Sequence, residues 1–170
     1  MTTMTDEAMM NKLYKLLCEV RADLENVGIE APPVDLKLGR ACNSLGSCKC
    51  NRLTKKYTIT FSKVYINLSD KHIKDVLMHE IIHTLPGCMN HGPNFKHYMY
   101  IVNCTLGYNV TVKDSTTEAA ALKKESLKEV PTVELRCSCG CELVVRATRK
   151  VAKHPENYRC KKHGLTLHRV

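Results

Sequence analysis

The sequence predicts an α+β chain in two parts: a helix-and-strand domain over residues 1–112 and a small ribbon over 133–170, joined by a linker at 113–132. Three observations lead there. An amphipathic stretch with helical spacing opens the chain. Two short runs with strand character then precede a second helical stretch, which carries histidines. After Pro131 the composition turns to cysteine, arginine and short strand-like runs. With 44% hydrophobic residues among 170, the chain has enough apolar material to fold. With no Trp and only two Phe, its core must rely on Leu, Ile, Val and Met.

Residues 5–27 place Met9, Leu13, Leu16, Leu17, Val20, Leu24 and Val27 at helical spacing, with Thr5 as N-cap and Gly28 as stop. Pro32 and Pro33 break the chain. Val34–Leu38 alternates like a strand, and Tyr57–Phe61 is rich in β-branched and aromatic residues. Residues 34–61 are therefore expected to form two or three short antiparallel strands, which Val64–Asn67 either extends or ends in a turn. Ser69 caps the next helix, whose apolar face is Ile73, Val76, Leu77, Ile81 and Leu85; it should run to about Leu85 and stop at Pro86–Gly87. Pro93 suits the first turn of a further helix that Gly107 closes. Residues 112–131 are polar and charge-balanced, as in a linker that is helical in part.

The net charge is +9, unevenly spread. Residues 1–112 carry 13 basic and 10 acidic side chains, whereas 133–170 carry nine and three. A small basic domain suggests a polyanion partner, with nucleic acid the first choice and solubility the plainer reading. No apolar leader segment opens the sequence, and no run approaches the roughly 20 apolar residues that span a bilayer. A cytoplasmic monomer is expected, nucleoid-associated or nuclear in a eukaryote. There the ten cysteines stay reduced, and the clustered ones bind metal.

The stretch HEIIHTLPGCMNHG spans positions 79–92. Residues four apart share a helix face, so His79 and His83 can aim at one point. Glu80 lies about 100° around the helix, displaced enough to reach a water rather than the ion. Two neutral imidazoles hold zinc and a carboxylate takes a proton. A third ligand is required; His91, just past the Pro86–Gly87 break, is the first candidate and His97 the second. The plain alternative is surface polarity, but Leu77, Ile81, Ile82 and Leu85 flank the motif, and burying its polar groups without partners would cost several kcal/mol. Cys88 is either a fourth ligand or a bystander. Cys42, Cys48 and Cys50 form an incomplete set, better read as core or turn residues.

A second cluster lies in the tail. Cys137 and Cys139 come from one turn, Cys160 and His163 from another, and Cys141 competes for a place in the first pair. The spacing suits a zinc ribbon, and a domain of this size needs such a staple. Between the knuckles, Arg146, Arg149, Lys150 and Lys153 suit phosphate contacts. Tyr158 can stack on a base or pack on the ribbon.

The stretch LMHEIIHTLPGCMNHGPNF resembles the SprT-like zinc metalloproteases, which include the Spartan proteases acting on DNA–protein crosslinks. In that family H-E-x-x-H is followed by H-G-x-x-F/W, and GRACNSLGSCKC…YTITFS looks like the short β-region before the motif. The resemblance implies a zincin-like catalytic domain, His79, His83 and His91 as ligands of a catalytic zinc, Glu80 as general base, and a C-terminal ribbon holding a structural zinc. It further implies a zinc-dependent endopeptidase with protein substrates on or near DNA, the ribbon contacting nucleic acid. Two other readings compete: a non-proteolytic, zinc-stabilised nucleic-acid-binding or transcription-related factor, and a peptidase with no nucleic-acid link. Glu80 separates the first of these, because a structural site has no use for that carboxylate.

Overall fold

The computed structural model describes residues 5–40, 44–113, 117–128 and 131–170, which fall into two compact units, Met1–Lys123 and Lys124–Val170. Cys42 lies outside the described residues.

Helix α1, Asp6–Asn26, buries Leu13, Leu16, Leu17, Val20 and Leu24, one stripe at 3–4-residue spacing. The Ala8 N–H donates to Thr5 Oγ1 at 3.2 Å, and Asp6 and Glu7 sit in the first turn, where negative charge suits the helix dipole. Beyond Val27 the Ile29 N–H returns to the Leu24 carbonyl at 3.0 Å, which closes the helix end. Arg21 then donates to the Ala31 and Pro32 carbonyls, at 2.9 Å each, and ties the next segment against α1.

Strands β1 (Val34–Gly39), β2 (Gly46–Cys50) and β3 (Tyr57–Ser62) form a sheet of order β1-β3-β2. The pairing corrects one expectation. β2 and β3 form an antiparallel hairpin, but β1 runs parallel to β3. Alternation in a sequence reports which face a side chain takes; it is silent on which strand lies next door or in which direction. Residues 63–65 are a short 3-10 turn, so the strand does not continue through 64–67.

Helix α2, Asp70–Ile82, starts where the His72 N–H donates to Ser69 Oγ at 3.3 Å. It ends three residues before the expected Leu85. Proline at 86 has no N–H for the Ile82 carbonyl, and its ring would collide with that carbonyl. The chain therefore tightens first, with Thr84 and Leu85 donating to Ile81 and Ile82. His83 becomes the C-terminal cap residue of α2. Helix α3, Pro93–Leu106, follows from Gly92 and buries Phe95 and Val102. Helix α4, Thr117–Lys128, occupies the stretch that reads as a part-helical linker; its Ala119 is buried in the first unit's core.

In the second unit, β4 (Thr132–Cys137) is flanked by β5 (Glu142–Arg146) and β6 (Leu167–Arg169), all antiparallel, with a one-turn helix α5 at Lys150–Lys153. Its core is Leu135, Cys137, Val145, Ala152 and Leu167. Five side chains, two of them Ala and Cys, are too little apolar area to hold a domain of this size by burial alone.

Candidate metal centre

Helix α2 delivers His79 and His83 from one face, and the loop before α3 brings His91 opposite. Nε2 of His79 lies 3.2 Å from Nε2 of His83 and 3.0 Å from Nε2 of His91. Three nitrogens about 2.0–2.1 Å from one tetrahedral ion would be about 3.3 Å apart. His97 stacks on Tyr98 away from this cluster, and Cys88 enters it through its carbonyl, while its thiol donates to Pro86 O at 3.5 Å.

The far sides of two rings fix their tautomers. Nδ1 of His79 is 2.8 Å from the Thr111 carbonyl and Nδ1 of His83 is 2.7 Å from the Cys88 carbonyl. A carbonyl only accepts, so both Nδ1 atoms carry the proton, and in the neutral rings both Nε2 lone pairs face one another across 3.2 Å. That is a repulsive arrangement unless a cation lies between them. The donor set therefore fits a divalent metal with imidazole preference, zinc foremost. Phe95, fully buried, touches all three rings at centroid distances of 4.7–4.9 Å and forms the floor under them.

The Thr111 carbonyl is itself held in place. Asn103 on α3 clamps Val110 by both ends, its Nδ2 donating to Val110 O and its Oδ1 accepting from Val110 N, each at 2.9 Å. Asp75 accepts from Asn109 N at 2.8 Å, and the Tyr108 hydroxyl donates to Asp23 at 2.6 Å. Residues 108–111 are thus strapped to α1, α2 and α3, and the strap ends on a histidine. Asn103→Ala removes both clamping bonds. Zinc affinity, read by competition with a chelator, is expected to fall about 10–100-fold, the usual cost of losing a group that orients a ligand. Unchanged affinity would show that the strap orients nothing.

Glu80 is 6% exposed and lies against β2. Burial pushes its carboxyl up to about 7, opposed by a hydrogen bond from the Cys48 backbone N–H. At Gly46 a Cβ would come within 2.9 Å of Glu80 Cγ and Oε1. The glycine is required so that the strand can approach the carboxylate. If Glu80 acts as a base on substrate, Gly46→Ala should leave zinc content intact while lowering kcat by about tenfold or more, since small displacements of a reacting group are costly. Equal kcat for variant and parent would refute that role. Burial also pushes the Cys48 thiol up to about 12, with Glu80 contributing in the same direction, so Cys48 is a neutral wall of the site.

The histidines and Glu80 open on a cleft of about 980 Å³, with Gly46–Cys48 of β2 on one side and residues 109–113 on the other. One end carries Ser69, Lys71 and His72, from the start of α2.

In the second unit Cys137, Cys139, Cys141, Cys160 and His163 place their ligand atoms within 4.8 Å of one another. Two knuckles build this cluster. In the second, Cys160 N donates to Leu165 O and Gly164 N to Cys160 O, both at 2.8 Å, with Gly164 at φ 68°. N–H groups of Lys162 and His163 point at the Cys160 sulfur, and with the His163 side chain they bring its pKa down to about 7. In the first, Gly140 N donates to Cys137 O at 2.8 Å with Gly140 at φ 84°, and Cys139 N donates to Cys137 Sγ at 3.3 Å. A ligand residue precedes the left-handed glycine in each: Cys139 in one, His163 in the other. The repeat favours Cys137, Cys139, Cys160 and His163, with Cys141 outside the pattern although its Sγ is 3.7 Å from His163 Nδ1. Cys137 and Cys139 are joined as a disulfide in this structure, so they offer two thiolates only when reduced. Arg149, Lys150 and Lys153 are exposed around α5, and Arg146, at the end of β5, is half-buried. Tyr158 is open to solvent.

Sequence reasoning missed Thr111, Asn103 and Gly46, and weighed Cys88 only by its thiol, not by the carbonyl that His83 uses. Thr111, Cys88 and Gly46 act through backbone groups or the space they leave, and Asn103 acts on backbone, so residue type gives no signal. Among the described residues no helix is long and apolar enough to cross a membrane. A comparison with curated proteins finds no match. The family model described as SprT-like matches residues 13–114, more than half of the chain.

Proposed function

The chain belongs to the SprT-like family, and from that premise we propose that it is a zinc-dependent endopeptidase acting on proteins on or near DNA, with a zinc ribbon over 133–170 that contacts nucleic acid. The observation that carries the proposal is the meeting of three imidazole Nε2 atoms beside a buried carboxylate at the floor of an open cleft. His79, His83 and His91 would hold the ion. The chemistry an ion supplies there is polarisation of a scissile carbonyl and a water acidic enough to ionise near neutral pH.

The chain's own residues do the rest. Glu80 takes the proton from the attacking water on a carboxylate oxygen and returns it to the nitrogen of the departing amine. Burial raises the Glu80 carboxyl in the metal-free chain, and a divalent ion beside it would draw it back toward the carboxylate that a base requires. Thr111 and Cys88 keep the lone pairs of His79 and His83 aimed inward. The cleft, about 980 Å³ and open to solvent, has room for a segment of polypeptide.

In the ribbon, Cys137, Cys139, Cys160 and His163 would hold a structural zinc, and Arg146, Arg149, Lys150 and Lys153 would meet phosphates. The factor without protease activity is disfavoured by the cleft, since a purely structural site needs neither an open approach nor Glu80. The test is direct. Purified zinc-loaded protein is incubated with a basic DNA-binding protein as substrate, with and without DNA. Cleavage that 1,10-phenanthroline stops and added zinc restores is the expected result. No cleavage under any of these conditions, with zinc stoichiometry verified, would sink the proposal.

A further inference from the structure

We propose that the β1–β3 sheet and its β2–β3 hairpin tip form a nucleic-acid-binding face on the protease unit itself, separate from the ribbon and bordering the cleft. The motivating observation is a segregation of charge that totals conceal. Residues 36–69 carry seven basic side chains and no acidic one, whereas the other residues up to 112 carry six basic and ten acidic. All of these acidic groups but Glu30 and Asp35 lie on the helices, where Lys12 pairs with Asp70 and Lys74 with Glu19 and Asp23. Of the basic residues in 36–69, Lys63, in the turn after β3, has such a partner among the described residues, Asp6. Lys37, Arg40, Lys49, Arg52, Lys55 and Lys56 are all exposed and have no carboxylate partner among the described residues.

The register puts Lys37 and Lys49 on one side. Leu36, Ile59 and Phe61 face the core, so Lys37, Thr58, Thr60 and Lys49 take the opposite face, with Lys37 opposite Thr60 and Thr58 opposite Lys49. Asp35 is the single carboxylate in the three strands; it shares this face, opposite Thr58, so the face carries Lys37 and Lys49 against one acid and the hairpin tip supplies the excess. Four of the six cations fall within residues 49–56, at the hairpin tip. The tip is fixed: Asn51 Oδ1 accepts from Leu53 N and Thr54 N at 3.0 and 3.2 Å, Lys55 N donates to Asn51 O at 2.8 Å, and Lys55 sits at φ 57°.

Crowding like charges in a rigid turn costs stability through repulsion, and no carboxylate among the described residues pairs with them to offset it. A polyanion does. The hydroxyls of Thr58, beside Lys49, and of Thr60, beside Lys37, suit phosphate oxygens, and Leu53, 95% exposed at the tip, suits an unstacked base or a groove. An anionic membrane fits less well, because Leu53 is the one large apolar side chain among Asn51–Lys56. Since β2 also lines the cleft, a nucleic acid held here would lie beside the peptide to be cut.

The experiment uses the full zinc-loaded chain and the quadruple variant Lys49→Gln, Arg52→Gln, Lys55→Asn, Lys56→Gln. Asparagine is used at 55 because it tolerates positive φ. Binding to labelled single-stranded and duplex DNA is measured against salt, alongside a variant with Arg146, Arg149, Lys150 and Lys153 changed to Gln. The expected result is at least about tenfold weaker binding at fixed salt and a log–log salt slope shallower by about 3, at roughly 0.7–0.9 per lost phosphate contact. An unchanged slope and affinity in a variant with parental melting temperature and zinc content overturns the proposal. So does a loss of binding to phosphatidylserine vesicles with DNA binding intact. If the ribbon variant alone weakens binding, this face is refuted while ribbon recruitment stands; if the sheet variant alone does so, the outcome is reversed. Peptidase activity enters neither readout.

Discussion

Replacing Glu80 with Gln is expected to abolish peptide hydrolysis, leave zinc stoichiometry unchanged, and make the metal-free protein more stable at pH 8. The first effect follows from proton transfer: Gln cannot accept the water's proton, and loss of a general base costs about 10²–10⁴-fold or more. The second follows because the ligands are imidazoles whose orientation depends on Thr111 and Cys88, not on residue 80. The third comes from burial. In the folded, metal-free chain the Glu80 carboxyl is raised from 4.5 to about 7. Between those values the native state holds a proton that the unfolded chain has released, so stability declines as pH rises through that window. Above 7 the full cost applies, on the order of 3 kcal/mol at about 1.4 kcal/mol for each pH unit. Gln has no proton to lose, and its amide oxygen can still accept from Cys48 N–H. Melting curves of the metal-free pair at pH 4.5 and pH 8 check the sign: no gap at the lower pH, and the variant higher at pH 8. Hydrolysis by the variant at the parental rate would remove Glu80 from the mechanism.

What the sequence revealed and what it hid follow one physical division. Helix periodicity and caps are local, so Thr5, Ser69, Pro93 and Gly107 mark helix ends within a residue or two. The pairing of His79 with His83 is local too, being one turn of α2. Pro86 ended α2 earlier than expected because its steric reach is to the carbonyl four residues back, not to its own position. The direction of β1 against β3 depends on chain reversal through residues that carry no pattern. The Thr111 carbonyl on His79, the Asn109 N–H on Asp75 and the approach of Gly46 to Glu80 connect segments more than thirty residues apart through the backbone of one partner, which every residue has. Charge shows a third case. The totals for 1–112 hide the basic sheet because the acidic helices balance it; a window over residues 36–69 separates the two in sequence, and the fold shows which face carries the charge.

The ribbon should be lost altogether when its second knuckle loses a ligand. Its core is Leu135, Cys137, Val145, Ala152 and Leu167, and small domains of this kind derive most of their folding free energy from the metal. Cys160 is the ligand most prepared for the ion: N–H groups from Lys162 and His163 already stabilise its thiolate, with a pKa near 7, before any metal arrives. Ser cannot supply a thiolate. Cys160→Ser in the full chain is therefore expected to drop zinc content from two ions to one and to collapse amide dispersion for residues 133–170 in an NMR spectrum, while signals from α1 to α3 stay in place. The remaining ion should sit on the three histidines, so phenanthroline-sensitive hydrolysis of a peptide free of DNA should persist. Cys141→Ser serves as the counterpart. It lies after the left-handed glycine rather than before it, so the variant should keep both ions. If instead Cys141→Ser costs an ion and Cys139→Ser does not, the pairing of the first knuckle is Cys137 with Cys141, and the match between the two turns is not what selects the ligands.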